Sequence, residues 1–189
     1  MSVTAKSLAS PTSCMRMTEP TDEALPRREL LCILANPPLG SGERTRARLG
    51  LARDLLGFET FTIRNLFAVP SGAVTDISRL GATPAGWAQA RQQMEPAFSA
   101  CDAVLLAYGV SEPTGAARKY HREQVEWVAE RLVASGCQTF QVGDGPRHPS
   151  RWQRWTSRYH RELEFSAALE ASLEAVSFGR APTRVAGTA

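Results

Sequence analysis

The chain is 189 residues long, with 43% hydrophobic and 22% charged residues and a mean hydropathy of −0.24, which excludes a wholly disordered, collagen-like or coiled-coil chain. It offers one core's worth of sequence, and no apolar run approaches the ~20 residues of a membrane helix. The formal charge of +3 names no partner, but Lys6 and Lys119 are the only lysines and every other cation is arginine, the residue suited to bidentate contact with phosphate or carboxylate.

In chain order, residues 1–28 are rich in Ser, Thr and Pro and carry no periodicity, so they read as a flexible leader without the apolar centre of a secretory signal. The apolar run Leu30 to Ala35 predicts a first strand, and Arg44 to Leu56 a helix. Phe61 to Phe67 predicts a second strand. A helix follows from Pro84 to Ala100, with Thr83 as its N-cap and Pro96 as a break. Ala103 to Tyr108 is the third strand, Gly115 to Ala134 a helix stopped by Gly136, Gln138 to Val142 the fourth strand, and Arg154 to Val176 the last helix. Residues 179–189 read as a second flexible tail.

Strands alternating with helices predict one α/β domain over residues 29–178, a three-layer sandwich on a four-stranded, mainly parallel sheet. Cys14, Cys32, Cys101 and Cys137 lie far apart with no CxxC pair, so we expect reduced thiols in a cytoplasmic protein and neither a metal site nor another cofactor. There is no GxxxxGK[ST] phosphate loop, no GxGxxG after a strand and no GxSxG elbow, which argues against nucleotide hydrolysis, dinucleotide binding and serine hydrolysis.

Ligands of such sheets bind at the carboxyl ends of the strands. There the sequence places two proline-stiffened turns with polar heads: Asn36-Pro37 after the first strand and His148-Pro149-Ser150 after the fourth. Asn65 and Phe67 end the second strand, and Tyr108 the third. Arg44, Arg46, Arg48 and Arg53 follow the first turn. Arg147, Arg151, Arg154, Arg158 and Arg161 surround the second, interleaved with Trp152, Trp155 and Tyr159. This is the pattern of a phosphate-backbone footprint, although a solvated face paired with Asp54, Glu162 and Glu164, and tryptophans acting as core anchors, would read the same way.

These stretches (Leu34-Ala35-Asn36-Pro37-Pro38, Asn65-Leu66-Phe67-Ala68, Ala107-Tyr108-Gly109 and Gly145-Pro146-Arg147-His148-Pro149) resemble the domain of unknown function 1643 family, whose pattern is LNPS, NLFA and GxPxHP. Here Pro38 replaces the usual Ser and Tyr108 the usual Trp. More distantly, the order of motifs is similar to the uracil-DNA glycosylase superfamily. That likeness implies its fold and an N-glycosidic hydrolase acting on a base in DNA or another nucleic acid. It also implies a water held by Asn36, a base edge read by Asn65, and a base anion stabilised by His148. Pro37, Phe67, Tyr108 and Ser150 would contact substrate, and Trp152 would sit where the superfamily carries an apolar wedge. The aromatic that stacks on the flipped base in that superfamily has no counterpart between Arg44 and Leu49. Two other readings stand beside it: a non-catalytic nucleic-acid or nucleotide-binding module, and an enzyme on a free nucleoside, nucleotide or similar metabolite. The position of Trp152 discriminates between them, since a wedge must stand at the cleft mouth.

Overall fold

The computed structural model describes residues 28–72 and 74–178. The leader and the tail therefore lie outside the described residues, apart from Arg28. Five strands form one sheet in the order β2-β1-β3-β4-β5: β1 (Glu29–Leu34), β2 (Thr60–Asn65), β3 (Ala103–Leu106), β4 (Gln138–Val142) and β5 (Leu173–Val176). The first four are parallel, and β5 runs antiparallel on β4. Between them lie α1 (Glu43–Leu55), α2 (Val74–Leu80), α3 (Ala85–Ala100) and α4 (Ala117–Ser135), followed by α5 (Trp152–Tyr159) and α6 (Phe165–Glu170).

The continuous apolar runs of β1 and β3 follow from burial on both faces. Because side chains alternate across a strand, Leu31, Ile33, Val104 and Leu106 enter one core with α3 and α4, while Leu30, Cys32, Leu34 and Leu105 enter a second core with α1, Trp152 and Leu169. α1 therefore leaves β1 toward one face and α4 leaves β3 toward the other. The loops after β1 and β3 diverge, and a crevice opens between them at the carboxyl edge.

The structure corrects several expectations. The sheet has five strands rather than four, because residues 173–176 pair with the open edge of β4 instead of continuing a helix, and the expected Arg154-to-Val176 helix becomes α5, α6 and β5. β2 ends at Asn65, although the backbone N–H groups of Leu66 and Phe67 still reach the carbonyls of Leu34 and Ala35 at 2.8 and 2.9 Å. α2 has no counterpart in the sequence reading. Pro84, not Thr83, caps α3, without a side-chain cap, and α3 runs through Pro96, which lies on its exposed side. Gly136 does stop α4, in the left-handed conformation at φ 64°.

No helix among the described residues is long and apolar enough to cross a membrane. Cys32, Cys101 and Cys137 are free thiols. The Cys101 and Cys137 sulfurs lie 4.0 Å apart at the amino edge of the sheet, where burial and the neighbouring thiol push Cys101 up to about 12.

Candidate functional site

A cleft of about 1380 Å³ occupies the carboxyl edge, and Asn36, Pro37, Asn65, Tyr108, His148 and Ser150 all line it. Four separate strand ends thus contribute to one wall system. The sequence reading expected this from topology.

Asn36 follows the last residues of β1. Its Nδ2 lies 3.0 Å from the Pro37 carbonyl and 2.7 Å from the Ser71 carbonyl. An atom facing two carbonyls is the amide nitrogen, so both donors are spent on the turn and Oδ1 is left to accept. The Ser71 N–H returns a bond to the Pro37 carbonyl at 3.1 Å, which locks the two loops together. Gly42, at φ 65°, turns the chain into α1; a Cβ there would press on the Pro38 ring at 3.0 Å.

His148 heads the turn after β4 and caps the short 3₁₀ turn Pro149–Arg151. The Ser150 backbone N–H donates to its Nδ1 at 3.2 Å, and the Ser150 hydroxyl lies 2.9 Å from the same atom. Nδ1 is therefore an acceptor, and the ring's proton sits on Nε2. Burial, reinforced by the nearby Arg151 and Arg48 charges, holds His148 below the usual histidine range. The result is a neutral imidazole offering Nε2–H. The Gly109 N–H bonds the Pro146 carbonyl at 2.5 Å, so the turn after β3 braces the one that carries His148. Tyr108, beside it, is pushed up by burial.

Three buried polar atoms among the residues lining the cleft have no hydrogen-bond partner: the acceptor Asn65 Oδ1, Ser71 Oγ and the donor Arg147 Nε. A buried acceptor of this kind is satisfied by water or by a ligand donor. Ser71, only 4% exposed, is a cleft residue that the sequence reading missed, and the preceding Pro70 was its only local signal.

Six arginines line the cleft (Arg46, Arg147, Arg151, Arg154, Arg158 and Arg161) against one carboxylate, Asp144, which pairs with Arg147. Among the described residues the other five have no ion-pair partner, and neither do Glu162 and Glu164, whereas Asp54 pairs with Arg53 as a solvated helix face would have it. The paired face therefore forms at Arg53 on α1 and not among the arginines of the cleft. Arg44 is exposed but lies outside the cleft lining.

Besides Arg44, three expected contact residues are placed elsewhere. Phe67 is fully buried against Trp87, with ring centroids 4.8 Å apart, and does not line the cleft. Trp152 is also fully buried, its Nε1 donating to the Arg147 carbonyl at 2.7 Å, so it anchors the core and is not a wedge. Arg48 is structural: Nη1 donates to the Pro149 carbonyl at 2.6 Å, and its guanidinium lies 5.6 Å from the Phe165 ring centre. The aromatic groups that do line the cleft are Tyr108, Trp155 and Tyr159. Trp155 and Tyr159, one helical turn apart on α5, stack with centroids 4.1 Å apart, and the Arg147 guanidinium lies 3.5 Å from the Trp155 ring centre.

Among the described residues no group of three His, Cys, Asp or Glu side chains is placed to share a metal ion. The side chains of the cleft supply hydrogen-bond donors and acceptors and cationic charge. Compared with known proteins, the chain matches no family model, no curated protein and no solved structure.

Proposed function

We propose that the cleft takes a base-bearing nucleotide of a nucleic-acid strand and hydrolyses its N-glycosidic bond. One observation carries this reading: an unpartnered buried acceptor, Asn65 Oδ1, shares a cleft with a neutral donor, His148 Nε2–H, and with five arginines that have no ion-pair partner among the described residues. A nucleobase edge offers the N–H that Asn65 lacks, and a phosphodiester backbone offers the charge that the arginines lack. The order of the turns, with its resemblance to the uracil-DNA glycosylase superfamily, supports the same reading.

In this reaction the C1′–N bond breaks and its electron pair leaves with the base. A water oxygen bonds to C1′ and its proton passes to solvent. His148 Nε2–H donates to the base oxygen on which negative charge develops, which stabilises the leaving group without a formal proton transfer. Asn36 Oδ1 is the group available to orient the water. The only cleft carboxylate, Asp144, is tied to Arg147, which suits a transition state with a nearly free sugar cation that asks little of its nucleophile.

Burial of Trp152 favours a second reading, an enzyme acting on a free nucleoside or nucleotide, since that side chain cannot pry a duplex apart. One assay separates the two: base release from uracil- or damage-containing oligonucleotides and from free nucleosides. On the first reading oligonucleotides are cleaved and His148→Ala loses about 10²- to 10³-fold in turnover. Release from nucleosides alone selects the second reading, and no release from any substrate overturns both.

A further inference from the structure

We propose that Tyr159 is a second subsite, a stacking platform for an unpaired base adjacent to the one at the cleft floor, with Arg154, Arg158 and Arg161 holding the phosphates beside it. The proposal rests on the nucleic-acid reading of the cleft and adds the strand's path and its single-stranded state.

Tyr159 is 55% exposed yet firmly held. Its ring stacks on Trp155 at an interplanar angle of 35°. Trp155 in turn is pressed against Gly143 so closely that a Cβ added there would sit 2.5 Å from the indole, and it carries the Arg147 guanidinium over its ring. An exposed aromatic is ordinary by itself. One fixed at the end of a stack within a cationic cleft is pre-organised to receive another π-face, because little rotamer freedom is left to lose on binding.

The surrounding charge has the spacing of a chain rather than of a single phosphate. Arg151 stands at the N-cap of α5, and Arg154 and Arg158 follow at intervals of three and four residues along it, with Arg161 just past its end. At ~1.5 Å per helical residue the span from Arg151 to Arg158 is roughly 10 Å, long enough for two successive phosphates of one strand. Platform and row lie on the same element, so a strand following α5 meets both. A paired base has both faces covered by its stack, and Trp152 is not free to open a duplex. The ligand class is therefore an unpaired base flanked by phosphodiesters.

The test measures binding by fluorescence anisotropy at one fixed low salt concentration, using undamaged oligothymidylate, oligouridylate, an abasic strand and a duplex, all of equal length. The oligothymidylate or the oligouridylate is expected to bind more tightly than the abasic strand and the duplex, and the tighter of the two identifies DNA or RNA as the source. Tyr159→Ala should weaken that binding roughly 5- to 150-fold and leave the abasic strand unaffected, whereas Tyr159→Phe, which keeps the ring, should retain it. Circular dichroism checks that both variants fold. Equal affinity for based and abasic strands, preference for the duplex, or indifference to Tyr159→Ala overturns the platform. No base release enters the measurement, so a protein that binds this way without catalysis keeps this proposal and loses only the hydrolase reading.

Discussion

Arg48 donates from Nη1 to the Pro149 carbonyl at 2.6 Å, across 101 residues of chain, and so ties α1 to the turn that presents His148. The arginine acts on the cleft through a backbone carbonyl instead of through a ligand. Arg48→Met leaves that carbonyl without its charged donor. Unfolding free energy measured by urea titration should fall by about 1–3 kcal/mol, while the salt dependence of nucleic-acid binding stays as it was.

Asn36 is a matching clamp on the opposite wall, and its isostere is instructive. Asn36→Asp sets a carboxylate oxygen against the Pro37 and Ser71 carbonyls in place of an N–H donor. We expect a loss of about 1–3 kcal/mol at neutral pH, shrinking as pH falls through the raised folded value of the new carboxyl and smallest by pH ~4, the ordinary Asp value, where the carboxyl has regained a proton to donate. Paired urea titrations at the two pH values check this.

The pH behaviour of His148 follows from its depressed pKa, caused first by burial and then by Arg151 and Arg48. The unfolded chain takes up the proton more readily than the folded one. The stability tied to the neutral ring is therefore complete above the ordinary histidine value of ~6.5 and is lost as pH falls from there through the folded value. His121, lowered chiefly by burial, adds in the same direction. NMR titration should give a His148 midpoint below ~6.5, with the proton on Nε2, and Arg151→Gln should raise that midpoint. A midpoint above ~6.5 would remove the neutral donor.

Arg46, Arg151, Arg154, Arg158 and Arg161 line the cleft without ion-pair partners among the described residues. For a single strand, the slope of log affinity against log salt should lose about 0.7 in magnitude for each of these converted to Gln, provided it meets a phosphate. Titrations at two ionic strengths measure it. A slope that does not change across all five substitutions would detach the arginines from any polyanion.

Gly143 is constrained twice over, by φ 64° and by the Trp155 ring against its Cα. Gly143→Ala should cost about 1–3 kcal/mol and shift Trp155 away from its present seat. A changed near-ultraviolet dichroism together with weakened oligothymidylate binding would report both effects, and unchanged signals would mean that the added methyl is accommodated without displacing the ring.

Local pattern made much of this molecule legible. The apolar runs of β1 and β3, the Gly136 stop of α4 and the proline-stiffened turns at Asn36 and His148 are written in adjacent residues, and topology alone brings those turns to one edge. Tertiary structure decided what local pattern could not. Residues 173–176 are a strand because β4 has a free edge far away in sequence. Trp152 and Trp155 sit three residues apart on one helix and look interchangeable as text, yet packing beneath α5 buries the first completely and leaves the second to line the cleft. Arg48 and Arg46 differ in the same way, one facing the Pro149 carbonyl and the other the cleft. Burial and hydrogen-bond partnership are properties of neighbours brought close by the whole fold, so residue type alone can nominate a wedge, a clamp or a phosphate ligand, and only the surroundings assign it.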